Sequence, residues 1–154
     1  MGNIRVKGQT GERQVQKLMN DVVIKVRAEQ GLPVLEDRDL PFQRNQNQSA
    51  VGGSDLSNPY GLEIEVKRQE ALSVGSWWKQ CVASAARSGG IPILIFKQNR
   101  KKWRVIMEVE IKIAPPGRTL ANGLTNIQAE ISTDDFLIWW EAYLKDHMLF
   151  NAGR

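Results

Sequence analysis

From residue 62 the chain alternates: Leu62, Ile64 and Val66 are apolar, while Glu63, Glu65 and Lys67 are charged. A two-residue period predicts a strand with one apolar and one charged face, so Glu65 and Lys67 point the same way. Just upstream, Asn58-Pro59-Tyr60-Gly61 carries the preferences of a type I turn, with Asn first, Pro second and Gly fourth. Such a turn predicts a hairpin in which Val51 to Ser57 folds back onto Leu62 to Lys67. Gly53 and Asp55 then face Glu65 and Lys67.

Elsewhere the period changes. Val15, Leu18, Met19, Val22, Val23 and Val26 recur at three- and four-residue spacing, which predicts an amphipathic helix with Thr10 as its N-cap. Glu12 falls within about 50° of the centre of that apolar stripe, an odd place for an acid. It reads either as a first-turn glutamate favoured by the helix dipole or as a functional group. A second helix is predicted over Gly75 to Ala86, ended by Gly89-Gly90, followed by a continuous apolar run from Ile91 to Phe96 that suits a strand covered on both faces. Strand, helix and buried strand make a parallel βαβ unit. Trp77 and Trp78 are adjacent, so they point about 100° apart on a helix and are not both expected in the core.

A strand from Val105 to Val109 follows, then a loop to Asn126 with at most a short strand. A last helix is predicted from Ser132-Thr133-Asp134-Asp135 to about Met148, with Phe136, Leu137, Trp140 and Leu144 as its stripe. Ile138 and Trp139 lie off the stripe and suggest a second buried surface, such as a dimer interface.

Two carboxylates and an ammonium on one sheet face require a chemical reason. Mg²⁺ takes oxygen ligands, usually one or two protein carboxylates with water and phosphate oxygens. Asp55 and Glu65 could hold such an ion, with Lys67 placed to stabilise charge that develops on phosphorus. The alternative is a solvated strand face with a surface ion pair.

At these residues the chain resembles the PD-(D/E)XK nuclease superfamily, in the variant lacking the usual proline before the aspartate, where Ser54 stands instead. The nearer resemblance is to the archaeal and phage Holliday-junction resolvases of that superfamily. Glu12 in Gly11-Glu12-Arg13 fits their acidic residue on the first helix. The resemblance covers about residues 8 to 110. It implies one α/β nuclease domain over residues 1–154: a restriction-endonuclease-like core with a mixed central sheet flanked by helices in αβββαβ order, and an extension over about 111–154 that adds a C-terminal helix.

By resemblance, Asp55, Glu65 and the carbonyl of Val66 bind Mg²⁺ or Mn²⁺, Lys67 activates the attacking water, and Glu12 assists through a second metal or an ordered water. Gln80 matches a position where related nucleases place a polar residue beside the site, and it also reads as a solvent-facing helix glutamine. No organic cofactor is implied. The expected substrate is DNA, specifically a four-way junction nicked symmetrically by a homodimer that uses Trp77 or Trp139 in its interface. The alternatives are a related nuclease acting on nicked, single-stranded or linear DNA, and a non-catalytic basic nucleic-acid-binding module.

Composition adds candidates for DNA contact. Among 154 residues, 21 are Lys or Arg and 17 are Asp or Glu, a net +4 that suits a polyanionic partner. Arg100, Lys101 and Lys102 cluster around Trp103 in a turn that is either a solvated hairpin tip or a phosphate contact. Phe42 to Ser49 is amide-rich, and Arg13, Arg44 and Gln48 are further candidates for phosphate and sugar contacts. A single cysteine, Cys81, excludes an internal disulfide. The single histidine, His147, excludes a cysteine-histidine zinc set and reads as a surface residue. With no membrane-length apolar run, signal pattern or repeat, the chain is expected to be soluble and cytoplasmic, in a prokaryotic or phage-infected cell.

Overall fold

The computed structural model describes residues 3–46, 53–113, 116 and 123–153. The first helix, α1 (Ile4–Glu29), begins earlier than expected because the Asn3 carboxamide caps the amide of Arg5. Thr10 is not the cap: it lies inside the helix, and its hydroxyl donates to the carbonyl of Val6. Val15, Met19, Val23 and Val26 are buried, as the stripe predicts.

Two short strands follow, β1 (Gln43–Arg44) and β2 (Leu56–Ser57), which pair antiparallel with each other. Then comes β3 (Leu62–Arg68), α2 (Val74–Ser88), β4 (Ile91–Lys97), β5 (Arg104–Lys112), β6 (Leu124–Ser132) and α3 (Thr133–Ala152). The main sheet runs β3-β4-β5-β6, with β3 and β4 parallel and the other pairs antiparallel. The architecture is α/β, in the expected αβββαβ order with an added C-terminal helix.

The predicted hairpin is replaced by a different arrangement. β2 takes β1 as its ladder partner, and the chain before it reaches β3 through single bonds: the amide of Asp55 donates to the carbonyl of Ile64 at 2.8 Å. The turn at 58–61 does fold the chain back, because the Asn58 carboxamide accepts from the amides of Tyr60 and Leu62 and Gly61 takes a positive φ of 72°. Val51 and Gly52 lie outside the described residues.

Both faces of β3 are covered. Leu62, Ile64 and Val66 join a core with α1 and α3, where Phe42, Tyr60 and Trp140 pack ring against ring. The charged face lies under α2: Ser84 and Ser88 donate to the carboxylate of buried Glu63 at 2.7 and 2.9 Å. β4 is buried over Ile93 to Phe96, as its continuous apolar run predicts. Gly89 ends α2 in the left-handed conformation, φ 73°.

Four expectations are corrected. Trp77 and Trp78 are both buried, 7% and 9% exposed, because α2 lies on a second apolar cluster of Leu94, Phe96 and Ile106 that covers both rings. Trp77 is therefore spent inside the chain rather than held out for an interface. β6 is a nine-residue strand where a loop was expected to Asn126; it is held by its ladder to β5, and only Ala129 and Ile131 among its side chains are half-buried. α3 runs past Met148 to Ala152, with Ser132 capping the amide of Asp135. On it Ile138 is 68% exposed, while Trp139 is half-buried against Phe136 and Tyr143. His147 is likewise half-buried rather than a surface residue, in ring contact with Tyr60 and Tyr143. Among the described residues no helix is long and apolar enough to cross a membrane.

Candidate active site

The site is built on the outer edge of β3. A parallel ladder uses the peptide groups of alternate residues, and pairing of the Gly61 carbonyl with Ile91 and of the Gln69 amide with Lys97 assigns the odd-numbered residues to β4. Ile64 and Val66 consequently present their peptide groups to the other edge. There the hydroxyl of Ser54 accepts from the amide of Ile64 at 3.0 Å, and the carboxylate of Asp55 accepts from the amide of Val66 at 2.7 Å. Asp55 is thereby fixed on the peptide that joins Glu65 to Val66, and the Val66 carbonyl opens on the same edge.

Glu65 projects toward α2, and the ammonium of Lys67 lies 2.7 Å from its carboxylate. Asp55 and Glu65 are only 6% and 7% exposed. Burial pushes the Cys81 thiol up to about 12, and the charge of Glu65 adds to the shift. Two buried carboxylates cost free energy unless a positive charge compensates them. Lys67 supplies one. The hard oxygen donors of the two carboxylates suit a divalent cation. Among the described residues no three of His, Cys, Asp and Glu stand together to hold a metal.

Glu12 is not brought into an acidic cluster. Its carboxylate lies 2.8 Å from Nε of Arg44, both side chains being largely buried. Next to it, Gly11 allows α1 to lie close on β3: a Cβ there would stand 3.2 Å from the Cβ of Arg68 and 3.4 Å from the Trp103 ring. Arg44 is in turn fixed from α1, since the Asn20 carboxamide bonds both the amide and the carbonyl of Phe42, and Gln16 donates to that same carbonyl. Gln16 and Asn20 were not anticipated. The signal for them was the four-residue spacing of Glu12, Gln16 and Asn20, which lines three polar side chains along one side of the apolar stripe.

Arg13 is exposed and lines a polar groove of about 560 Å³ with Arg5, Arg44, Asn45 and Gln46. Phe42, expected in a DNA-contacting segment, is instead fully buried in the core. Gln48 lies outside the described residues. Gln80 is exposed on α2 and makes no hydrogen bond to the acids or Lys67 among the described residues. In the basic turn Arg100, Lys101 and Lys102 are all exposed, and Arg100 adopts a positive φ of 61°. Lys101 and Lys102 border a second groove with Lys97 and Trp103, where the Lys97 ammonium sits over the indole ring. Burial and the neighbouring Arg68 hold the Lys97 pKa below its ordinary value.

No curated protein matches this chain. Residues 3–134, well over half of the chain, match the family model described as "Phage putative PDDEXK endonuclease". The matched span contains Glu12, Asp55, Glu65 and Lys67. The buried aspartate on the strand edge, the Glu-x-Lys of β3 and the restriction-endonuclease-like order of elements agree with that match, and the chain belongs to this phage family of PD-(D/E)XK nucleases.

Proposed function

We propose that the chain is a metal-dependent, structure-selective DNA endonuclease that resolves four-way junctions by paired nicks, working as a homodimer in the cytoplasm. The observation that carries the hydrolytic part is the junction of Asp55 with the Glu65–Val66 peptide beside the Lys67–Glu65 pair. Asp55, Glu65 and the Val66 carbonyl would hold Mg²⁺ or Mn²⁺, which when bound supplies Lewis-acid polarisation of the phosphate and a more acidic water.

The protein's own groups do the rest. Lys67, held by Glu65, presents an ammonium where charge develops on the phosphoryl oxygens. Ser54 and Asp55 fix the edge of β3, so neither carboxylate has to be collected when DNA arrives. Arg13 and Arg44 on one side, and Arg100, Lys101 and Lys102 on the other, give backbone phosphates two basic surfaces to contact.

The junction reading is supported by the resemblance to small resolvases and by symmetry. Two nicks related by a twofold axis need two sites, and one chain has one candidate site. On α3, exposed Ile138 and the half-buried Trp139 beside it are among the groups such an interface could use. Cleavage of an end-labelled four-way junction beside a linear duplex of the same sequence, with Mg²⁺ and with chelator, tests both parts. Symmetric nicks in the junction alone are expected. Equal cleavage of both substrates would remove junction selectivity, and cleavage in chelator would remove the metal.

A further inference from the structure

We infer that Glu12 is a positioning residue, which aims Arg44 into a subsite for a backbone phosphate of the bound DNA strand rather than holding a metal ion. The inference rests on the nuclease reading and assigns one of its residues a different task. Three observations carry it. Glu12 is joined to Nε of Arg44 at 2.8 Å. The groove these two line also holds Arg5, Arg13, Asn45 and Gln46, an arginine-rich wall that suits a phosphodiester anion. And the groove adjoins Asp55 through the backbone: Arg44 pairs with Leu56, and the amide of Asn45 donates to the carbonyl of Asp55 at 2.9 Å. A phosphate on Arg44 would therefore lie on the strand that passes Asp55.

An acid in a groove for a polyanion repels its ligand, so Glu12 must return something for its place. What it returns is orientation. An arginine side chain loses much rotamer freedom when it binds, and a guanidinium already tied by Nε has lost most of it beforehand. The anchor of Phe42 on Asn20 and Gln16 fixes the other end of the same unit.

The sign of one substitution separates this role from the others. Electrostatics alone predicts that removing a negative charge tightens DNA binding. The positioning role predicts that Glu12→Ala weakens it, while Glu12→Gln, which keeps an oxygen to accept from Nε, recovers most of the affinity. Binding of a labelled junction and a labelled duplex would be followed by anisotropy in Ca²⁺ and in chelator, for Glu12→Ala, Glu12→Gln, Arg44→Ala and the Glu12→Ala/Arg44→Ala double variant. Arg44→Ala is expected to weaken binding roughly 10- to 100-fold, the range for a charged hydrogen bond. It should also flatten the salt dependence by about 0.9. The double variant should be no weaker than Arg44→Ala alone, and the Mn²⁺ concentration for half-maximal cleavage should not change in Glu12→Gln.

Tighter or unchanged binding by Glu12→Ala overturns the inference, as does additive loss in the double variant. So does a raised Mn²⁺ requirement in Glu12→Gln with DNA binding intact, which would make Glu12 a ligand. These outcomes leave the nuclease reading standing, whereas a wild-type protein that neither binds nor cuts DNA removes both.

Discussion

Replacing Lys67 by Met keeps most of the side-chain volume and deletes the charge that compensates Glu65. The ammonium lies 2.7 Å from a carboxylate that is 7% exposed, so the variant leaves a buried anion unpaired. Breaking a fully buried pair costs about 3 to 5 kcal/mol; because the Lys67 side chain is about a fifth exposed, water can partly replace it, and we expect about 2 kcal/mol. At this chain length that corresponds to a Tm lowered by about 4 to 8 °C in chelator. A divalent cation held by Asp55 and Glu65 supplies the missing positive charge, so the Tm rise on adding Mg²⁺ should be larger in Lys67→Met than in wild type, by most of that deficit. Cleavage should nevertheless fall by roughly 10² to 10⁴, since stability is restored but the charge facing the phosphate is not. Thermal melts followed by circular dichroism, with Mg²⁺ and with chelator, decide the point. An identical metal-induced rise in both proteins would mean that lysine and metal do not share Glu65, and the site would have to be redrawn.

Asp55→Asn and Glu65→Gln should each abolish cleavage with folding and DNA binding largely retained; near wild-type cleavage by either, measured in single-turnover assays, rules out the site. Changing Arg100, Lys101 and Lys102 together to Ala should lower the slope of log affinity against log salt by up to about 0.9 for each phosphate no longer neutralised, and an unchanged slope returns the turn to solvent. Cys81 carries a pH prediction: its folded thiol is pushed up to about 12 from 9.0, so the unfolded chain ionises first and stability is lost as pH rises through that interval. The loss approaches about 1.4 kcal/mol per pH unit above pH 9, and urea titrations of Cys81→Ala should show a shallower decline there than wild type. Ser54→Ala strips the Ile64 amide of its acceptor and should cost about 1 to 3 kcal/mol in the same assay, with a disproportionate fall in cleavage if Asp55 shifts with it.

How far the sequence could be read follows from which interactions leave a local pattern. The alternation through Glu65 and Lys67, the unbroken apolar run of β4 and Gly89 are written into neighbouring residues by burial and backbone conformation, and all three were legible. β6 was missed although Ile127, Ala129 and Ile131 alternate with Asn126, Gln128 and Glu130; the pattern is weak because only Ala129 and Ile131 are half-buried, and the ladder to β5 carries the rest of the strand. The two tryptophans misled for a related reason: angular separation on a helix excludes joint burial only if the covering surface is narrow, and here it spans β4 and β5. Glu12 looked misplaced beside an apolar stripe because its partner, Arg44, is 32 positions away.

The departure from the usual superfamily pattern at position 54 has a physical reading. A proline before the aspartate would contribute a rigid backbone and no donor. Ser54 instead works as a side-chain substitute for a neighbouring strand: its hydroxyl donates to the carbonyl of Leu56 at 2.7 Å and accepts from the amide of Ile64. The amide and carboxylate of Asp55 then continue the same edge at Ile64 and Val66. An open strand edge is ordinarily closed by another strand, which would bury the Val66 carbonyl in a ladder. Closing it with two side chains satisfies the amides and leaves that carbonyl facing the same opening as the aspartate. The arrangement that completes the sheet is therefore the one that keeps oxygen donors available on its edge, which is why a serine serves where a strand could not.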